Sequence, residues 1–176
     1  MINIMLDLET LGTRPGCKIL SIGAVAFDKT GLGDQFYTSV DPAEQVDVGL
    51  HDDPDTHAWW AKQSAAARKV FTEPKIEVVQ ALTDFRLFCA RHAAPKFLRL
   101  WGNGADFDNP ILGAVYHAFK VQQPWGPYSN RCYRTLKSFS TTKIVRGTNV
   151  HHNALGDAVA QAEHAVVIMN ALSLPD

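Results

Sequence analysis

Residues 2–9, INIMLDLE, alternate with period two. Ile2, Ile4, Leu6 and Leu8 point to one side of a strand; Asn3, Met5, Asp7 and Glu9 point to the other. The first side needs a core to cover it. The second side carries two acids one residue apart, whose carboxylates the rise of a strand sets about 6 to 7 Å from each other. Burying two anions on one face is costly without compensation. Divalent cations such as Mg²⁺ or Mn²⁺, which take hard oxygen ligands, supply it. A strand that ends at Leu8, leaving both acids in water, would need none.

The rest of the chain limits what that strand can join. Residues 10–18 hold Gly12, Pro15 and Gly16 and form a loop. Residues 18–28, KILSIGAVAFD, read as a long second strand, and after a turn at 29–33 residues 35–40 read as a third. Three strands on short turns make an antiparallel meander. Residues 41–55 are irregular. Short helices are expected over 55–63 and 64–70, and a longer one over 74–92, where Ile76, Val79, Leu82, Phe85 and Phe88 recur along one face. Residues 97–101 read as a fourth strand, 109–119 as a helix, 128–133 as a fifth strand, 134–139 as a short helix and 155–172 as a long last one. That order defines a mixed α/β arrangement rather than a regular βαβ repeat.

Length and composition fit one domain over 1–176: of 176 residues, 46% are hydrophobic, enough for a sizeable core. Formal charge is −1, so no global basic field announces nucleic acid, although a local basic groove remains compatible with it. Cys17, Cys89 and Cys132 are odd in number and lack CxxC spacing, which suits a reducing compartment. No apolar run approaches 18 residues and no leader precedes the first strand, so a cytoplasmic protein with no membrane partner is expected.

Two further stretches carry candidate chemistry. WGNGADFDNPIL, residues 101–112, follows a strand and opens a helix. Asp106 and Asp108 are both candidates; Asp106 suits a helix cap and Asp108 the first turn. HHNALGDAVAQAEHA, residues 151–165, places His152 five residues before Asp157. On one helix they would sit about 140° apart, so they converge only if His152 lies in the preceding loop. Asn153 is a cap, Gly156 leaves room for close approach, and His164 reads as a surface residue.

In order and spacing, DxE, then an aspartate after a strand, then HxxxxD at the last helix, the chain resembles the DEDDh (DnaQ-like) 3′–5′ exonucleases of the ribonuclease H-like superfamily. The likeness runs over essentially the whole chain. DPDTHAWWAKQSAAARKVF, WGNGADFDNPIL and RCYRTLK are similar to a bacterial and phage subgroup described as exoribonucleases and exodeoxyribonuclease VIII-like proteins. The resemblance implies a ribonuclease H-like mixed five-stranded sheet, a three-strand meander plus parallel strands, flanked by helices. It implies Asp7, Glu9, Asp108, His152 and Asp157 as catalytic residues. Asp7 would bridge two Mg²⁺ (or Mn²⁺) ions, Glu9 and Asp157 would hold the ion that binds the attacking water, Asp108 would support the other, and His152 would be the general base. Asp108 is preferred to Asp106 because the family's acid follows an aromatic, here Phe107; the gap from Asn103 is one residue longer than in many relatives. His152 rather than His151 has the spacing to Asp157.

The partner implied is the 3′ end of single-stranded RNA or DNA, released as nucleoside 5′-monophosphates, and a homodimer fits the resemblance. Thr10 and Leu11 would contact the terminal nucleotide. Trp59 and Trp60 point about 100° apart on a helix, so one packs inward while the other faces a cleft; stacking a base there is worth about 1–3 kcal/mol. Arg131, Arg134 and Lys137 would bind the backbone. Trp101 and Trp125 read as packing residues. The rival reading is a catalytically inactive nucleic-acid-binding module on the same fold, which would not need all five residues.

Overall fold

The structure is a computed structural model that describes residues 2–144 and 152–174. Among them, β1 (Asn3–Thr10), β2 (Ile19–Asp28) and β3 (Gly31–Ser39) form the expected meander. Helices α1 (Pro54–Trp60) and α2 (Val78–His92) follow, then β4 (Arg99–Gly102), α3 (Asp108–Ala118), β5 (Asn130–Cys132), α4 (Tyr133–Ser138) and α5 (Ala154–Ala171). The sheet order is β3-β2-β1-β4-β5. β2 lies antiparallel to β1 and β3, while β4 runs parallel to both β1 and β5. The mixed five-stranded sheet flanked by helices is the ribonuclease H-like arrangement the sequence implied.

The period-two pattern of β1 sorts the two layers. Ile4, Leu6 and Leu8 face α2 and α3, in a core with Leu82, Phe85, Phe88, Ile111 and Val115. Each such side chain contributes about 1.5–3 kcal/mol on burial. Met5, on the other side, joins Val25, Phe27 and Trp101 under Ala158, Ala162, Ala165 and Ile168 of α5. β2 is buried on both faces, so its sequence shows no alternation. The α5 contact surface is mostly alanine, and small side chains let the helix lie close to the sheet. A third, smaller cluster joins Leu11, Leu20, Trp60, Ala67 and Val70.

Three local expectations change. The 64–70 helix is a 3₁₀ turn over Ala67–Phe71. α2 starts at Val78 rather than near Pro74, because Ile76 bridges Val40 as a strand would and the Glu44 carboxylate takes the Val78 N–H. β5 is shorter than 128–133, and Tyr128 is 90% exposed.

Parallel pairing of β1 with β4 ends at Met5 and Trp101. Beyond it the two strands' C-terminal ends open a crevice, the place where open α/β sheets bind ligands.

Candidate active site

Asp7 and Glu9 lie on the side of β1 covered by α5. What lets α5 approach is Gly23, the β2 partner of Asp7. A Cβ built there would stand 2.2 Å from the Ala154 carbonyl carbon and 2.2 Å from the Leu155 nitrogen. The first turn of α5 therefore rests on bare sheet backbone. Asn153 caps it as expected, its Oδ1 accepting the Gly156 N–H at 2.9 Å. This seats Asp157 over the acids of β1.

Carboxylate oxygens of Asp7, Glu9 and Asp157 all lie within 4.8 Å of one another, nearer than strand spacing alone would put the first two. Gln161, one helical turn beyond Asp157, donates its Nε2 to Asp7 Oδ1 at 2.8 Å. Gln161 is 2% exposed and its own Oε1 has no partner. No Lys or Arg among the described residues forms an ion pair with Asp7 or Glu9. Burial, then the charges of Asp108, Glu9 and Asp157, push the Asp7 carboxyl well above its ordinary value. Burial, then Asp157 and Asp108, push Glu9 up to about 8. Uncompensated hard oxygens at this spacing fit a divalent cation.

Asp108 stands beside them and is held differently. It is 1% exposed, Oδ1 accepts the Leu8 N–H at 3.2 Å, and Oδ2 accepts the Asn103 N–H at 2.8 Å. Burial raises its carboxyl to about 6, against the lowering effect of those two N–H groups and the Arg134 charge. Asp106 is exposed and does not cap α3, contrary to expectation: the cap position is Phe107, with no side-chain bond. The helix start is fixed instead by the long-range bonds of Asp108. Phe107 packs against the core beside it, as expected.

His152 precedes α5 in the loop, as the spacing required, and its N–H donates to Asp157 Oδ2 at 3.0 Å. Its φ is +62°, in the left-handed region. Its ring meets that of Trp59 edge-on, centroids 4.8 Å apart. Both tryptophans line the cleft, but to different degrees: Trp60 is 3% exposed and donates its Nε1 to the Thr10 carbonyl at 2.9 Å, while Trp59 is 40% exposed. Asp7, Glu9, Thr10, Trp59, His152, Asp157 and Gln161 all line one cleft of about 550 Å³. His151 lies outside the described residues.

The remaining candidates divide. Thr10 lines the cleft, its hydroxyl donating to the Gly12 carbonyl at 2.6 Å. Leu11 does not: it is 3% exposed and packs with Leu20 and Trp60, so as it stands it offers no wedge to a base. Arg134 donates to the Asn103 carbonyl at 2.7 Å, at the cleft edge, whereas Arg131 is tied to the carbonyls of Tyr128 and Asn130. Lys137 lies over the Tyr133 ring. His164 is a correction: it is 4% exposed, bonded to the Tyr133 hydroxyl at 2.7 Å and to Thr142. Gly23, Gln161 and Asn103 were missed by sequence reasoning; only the i, i+4 spacing of Asp157 and Gln161 hinted that they share a helix face.

Comparison with solved structures returns the same fold. The nuclease domain of 3′hExo, a DEDDh family member bound to rAMP, superposes with a TM-score of 0.63 at 14% identity, covering 96% of this chain and 92% of that one. Exonuclease X in complex with 5′ overhanging duplex DNA gives a TM-score of 0.60 at 17% identity, with 98% and 94% covered. No match is found among curated protein sequences. The fold is the one these nucleases have. Residues 2–169 match the family described as the 3′-5′ exoribonuclease Rv2179c-like domain, and the chain belongs to that family. It is a 3′–5′ exonuclease.

Proposed function

We propose that the protein removes nucleoside 5′-monophosphates from the 3′ end of single-stranded RNA, with divalent cations held at Asp7, Glu9, Asp157 and Asp108. The observation that carries this reading is the convergence of three carboxylates within 4.8 Å on the floor of a cleft whose wall bears His152. RNA is favoured over DNA by the family's description as exoribonucleases.

Two Mg²⁺ or Mn²⁺ ions bound there would offset the charge of the scissile phosphate, acidify water and steady the departing 3′-oxygen. The chain's own residues do the rest. Asp7, central to the cluster, is oriented by Gln161. Glu9 and Asp157 both line the cleft, and their carboxylate oxygens lie within 4.8 Å of each other. Asp108 is aimed by two backbone N–H groups, so its position survives changes in its neighbours. His152 accepts a proton from the attacking water, a task for which an imidazole is suited at neutral pH. Trp59 offers a ring face to the terminal base, Thr10 lies beside the terminal sugar, and Arg134 approaches the backbone from the rim.

The test is degradation of matched RNA and DNA oligomers, each blocked in turn at the 5′ and 3′ ends. A ladder from the unblocked 3′ end of RNA is expected, lost in chelator and lowered by about 10²- to 10⁴-fold in His152→Ala. Full activity in chelator would refute the metal assignment; faster loss of DNA than RNA would refute the substrate.

A further inference from the structure

A row of three rings spans the cleft from β1 to the start of α5. Trp60 is its fixed end: buried at 3% exposure, bonded to the Thr10 carbonyl next to Glu9, and met edge-on by Phe71 at 5.2 Å between centroids. Trp59 is the middle ring, 5.0 Å from Trp60 at 77° and 4.8 Å from His152 at 85°. His152 is the far end. Its backbone is held in the left-handed region by the bond from its N–H to Asp157, which fixes where the residue is. The imidazole itself meets the Trp59 ring.

Both tryptophans line the cleft that contains the acids, but Trp59 is 40% exposed and Trp60 3%. A base entering the cleft meets the exposed part of the Trp59 ring, and an aromatic ring stacks with any base. Stacking restricts the side-chain rotation of Trp59, and a restricted Trp59 presents one fixed wall to the imidazole. A small error in the angle of a proton acceptor is expensive in rate.

We propose that Trp59 is a positioning residue that transmits stacking of the 3′-terminal base to the ring of His152, so that an intact terminal base raises the rate of hydrolysis as well as affinity. This rests on the reading of His152 as the general base. It makes the protein selective for intact ends: a strand whose last nucleotide has lost its base is bound through its phosphates but turned over slowly.

The experiment measures kcat and KM for the wild type, Trp59→Ala and Trp59→Phe on two oligoribonucleotides, one ordinary and one with an abasic 3′-terminal nucleotide. The wild type is expected to lose about 10- to 100-fold in kcat on the abasic end. Trp59→Ala is expected to lose a similar factor on the ordinary end, with no further loss on the abasic one, and Trp59→Phe to recover part of it. In the metal-free protein, NMR should show the His152 ring protons displaced by the Trp59 ring current, a displacement lost in Trp59→Ala. A Trp59→Ala enzyme with raised KM and wild-type kcat overturns the coupling, as do losses that multiply. His152→Ala separates the two claims. A large loss there beside an unchanged Trp59→Ala kcat overturns the coupling alone; no loss overturns the general-base reading and the coupling with it.

Discussion

Gly23 and Ala154 are in backbone-to-backbone contact: a single methyl group on Gly23 would lie 2.2 Å from the carbonyl carbon of Ala154. No flexible side chain stands between them to give way. Gly23→Ala must therefore lift the first turn of α5, which carries Asp157 and adjoins His152. The variant should lose about 1–3 kcal/mol of stability, as overpacked sites do, and about 10²-fold or more in rate from displaced groups. Urea midpoints and initial rates on a labelled oligomer check both. A variant as active as the wild type would show that α5 does not need this contact to place the site.

The acids of the site make stability depend on pH in a definite direction. In the folded protein without metal, Glu9 holds its proton up to about pH 8, against an ordinary value of 4.5, and Asp7 is shifted the same way. Across that window the folded state binds protons that the unfolded chain has released, so stability falls as pH rises from 4.5 to 8 and levels off above. In chelator, the thermal midpoint should drop between about pH 7 and 8, where histidines are mostly neutral. Glu9→Gln should flatten the drop and exceed the wild type in stability at the upper end. Saturating Mn²⁺ should also flatten it, with protons released on binding and detectable in weak buffer. A chelated wild type that gains stability with rising pH would contradict the burial of these charges.

His164 should act with the opposite sign. Burial holds its imidazole below the usual 6.5, against the raising effect of its bond to the Thr142 carbonyl. As pH falls past 6.5 the unfolded chain takes up a proton that the folded one resists, so this contribution to stability is present above that pH and lost below it. His164→Gln should lessen the wild type's loss of stability between about pH 7 and 5, read as the difference between the two urea-midpoint curves. Parallel curves would mean that His164 charges freely in the fold.

How far the sequence could be read depended on whether a residue's role was local. The alternation of INIMLDLE put Asp7 and Glu9 on one face, and strand geometry guarantees that. The five-residue spacing put His152 off the helix, and helix geometry guarantees that too. The 100° step between neighbours separated Trp59 from Trp60. By contrast, Gly23 sits in an apolar run with nothing to mark it as the floor under a helix 131 positions later. His164 looked like a surface residue because its partners, Tyr133 and Thr142, come from another helix and a loop. Leu11 followed the first motif closely enough to suggest a substrate contact, but its neighbours in space are Leu20 and Trp60, which no local rule foretells.

The choice between Asp106 and Asp108 turns on the same distinction. They are two residues apart at the start of α3, and local preference made Asp106 the cap. The structure has Asp106 exposed, with no capping bond at the helix start, and Asp108 bonded to amides of Leu8 and Asn103. Asp106→Ala should therefore stay within about 0.5 kcal/mol of the wild type and keep its activity. Asp108→Asn should be inactive, since it removes a charge beside Asp7 and Glu9. It should also turn one amide NH₂ toward a backbone N–H that has lost its acceptor, at a cost of about 1–3 kcal/mol. Relief of repulsion among the buried acids offsets part of that cost in the metal-free protein, so the variant should look less destabilised in chelator than in Mn²⁺. Rates and thermal midpoints of both variants, with and without Mn²⁺, settle the assignment. An inactive Asp106 variant beside an active Asp108 variant would move the second motif by two residues.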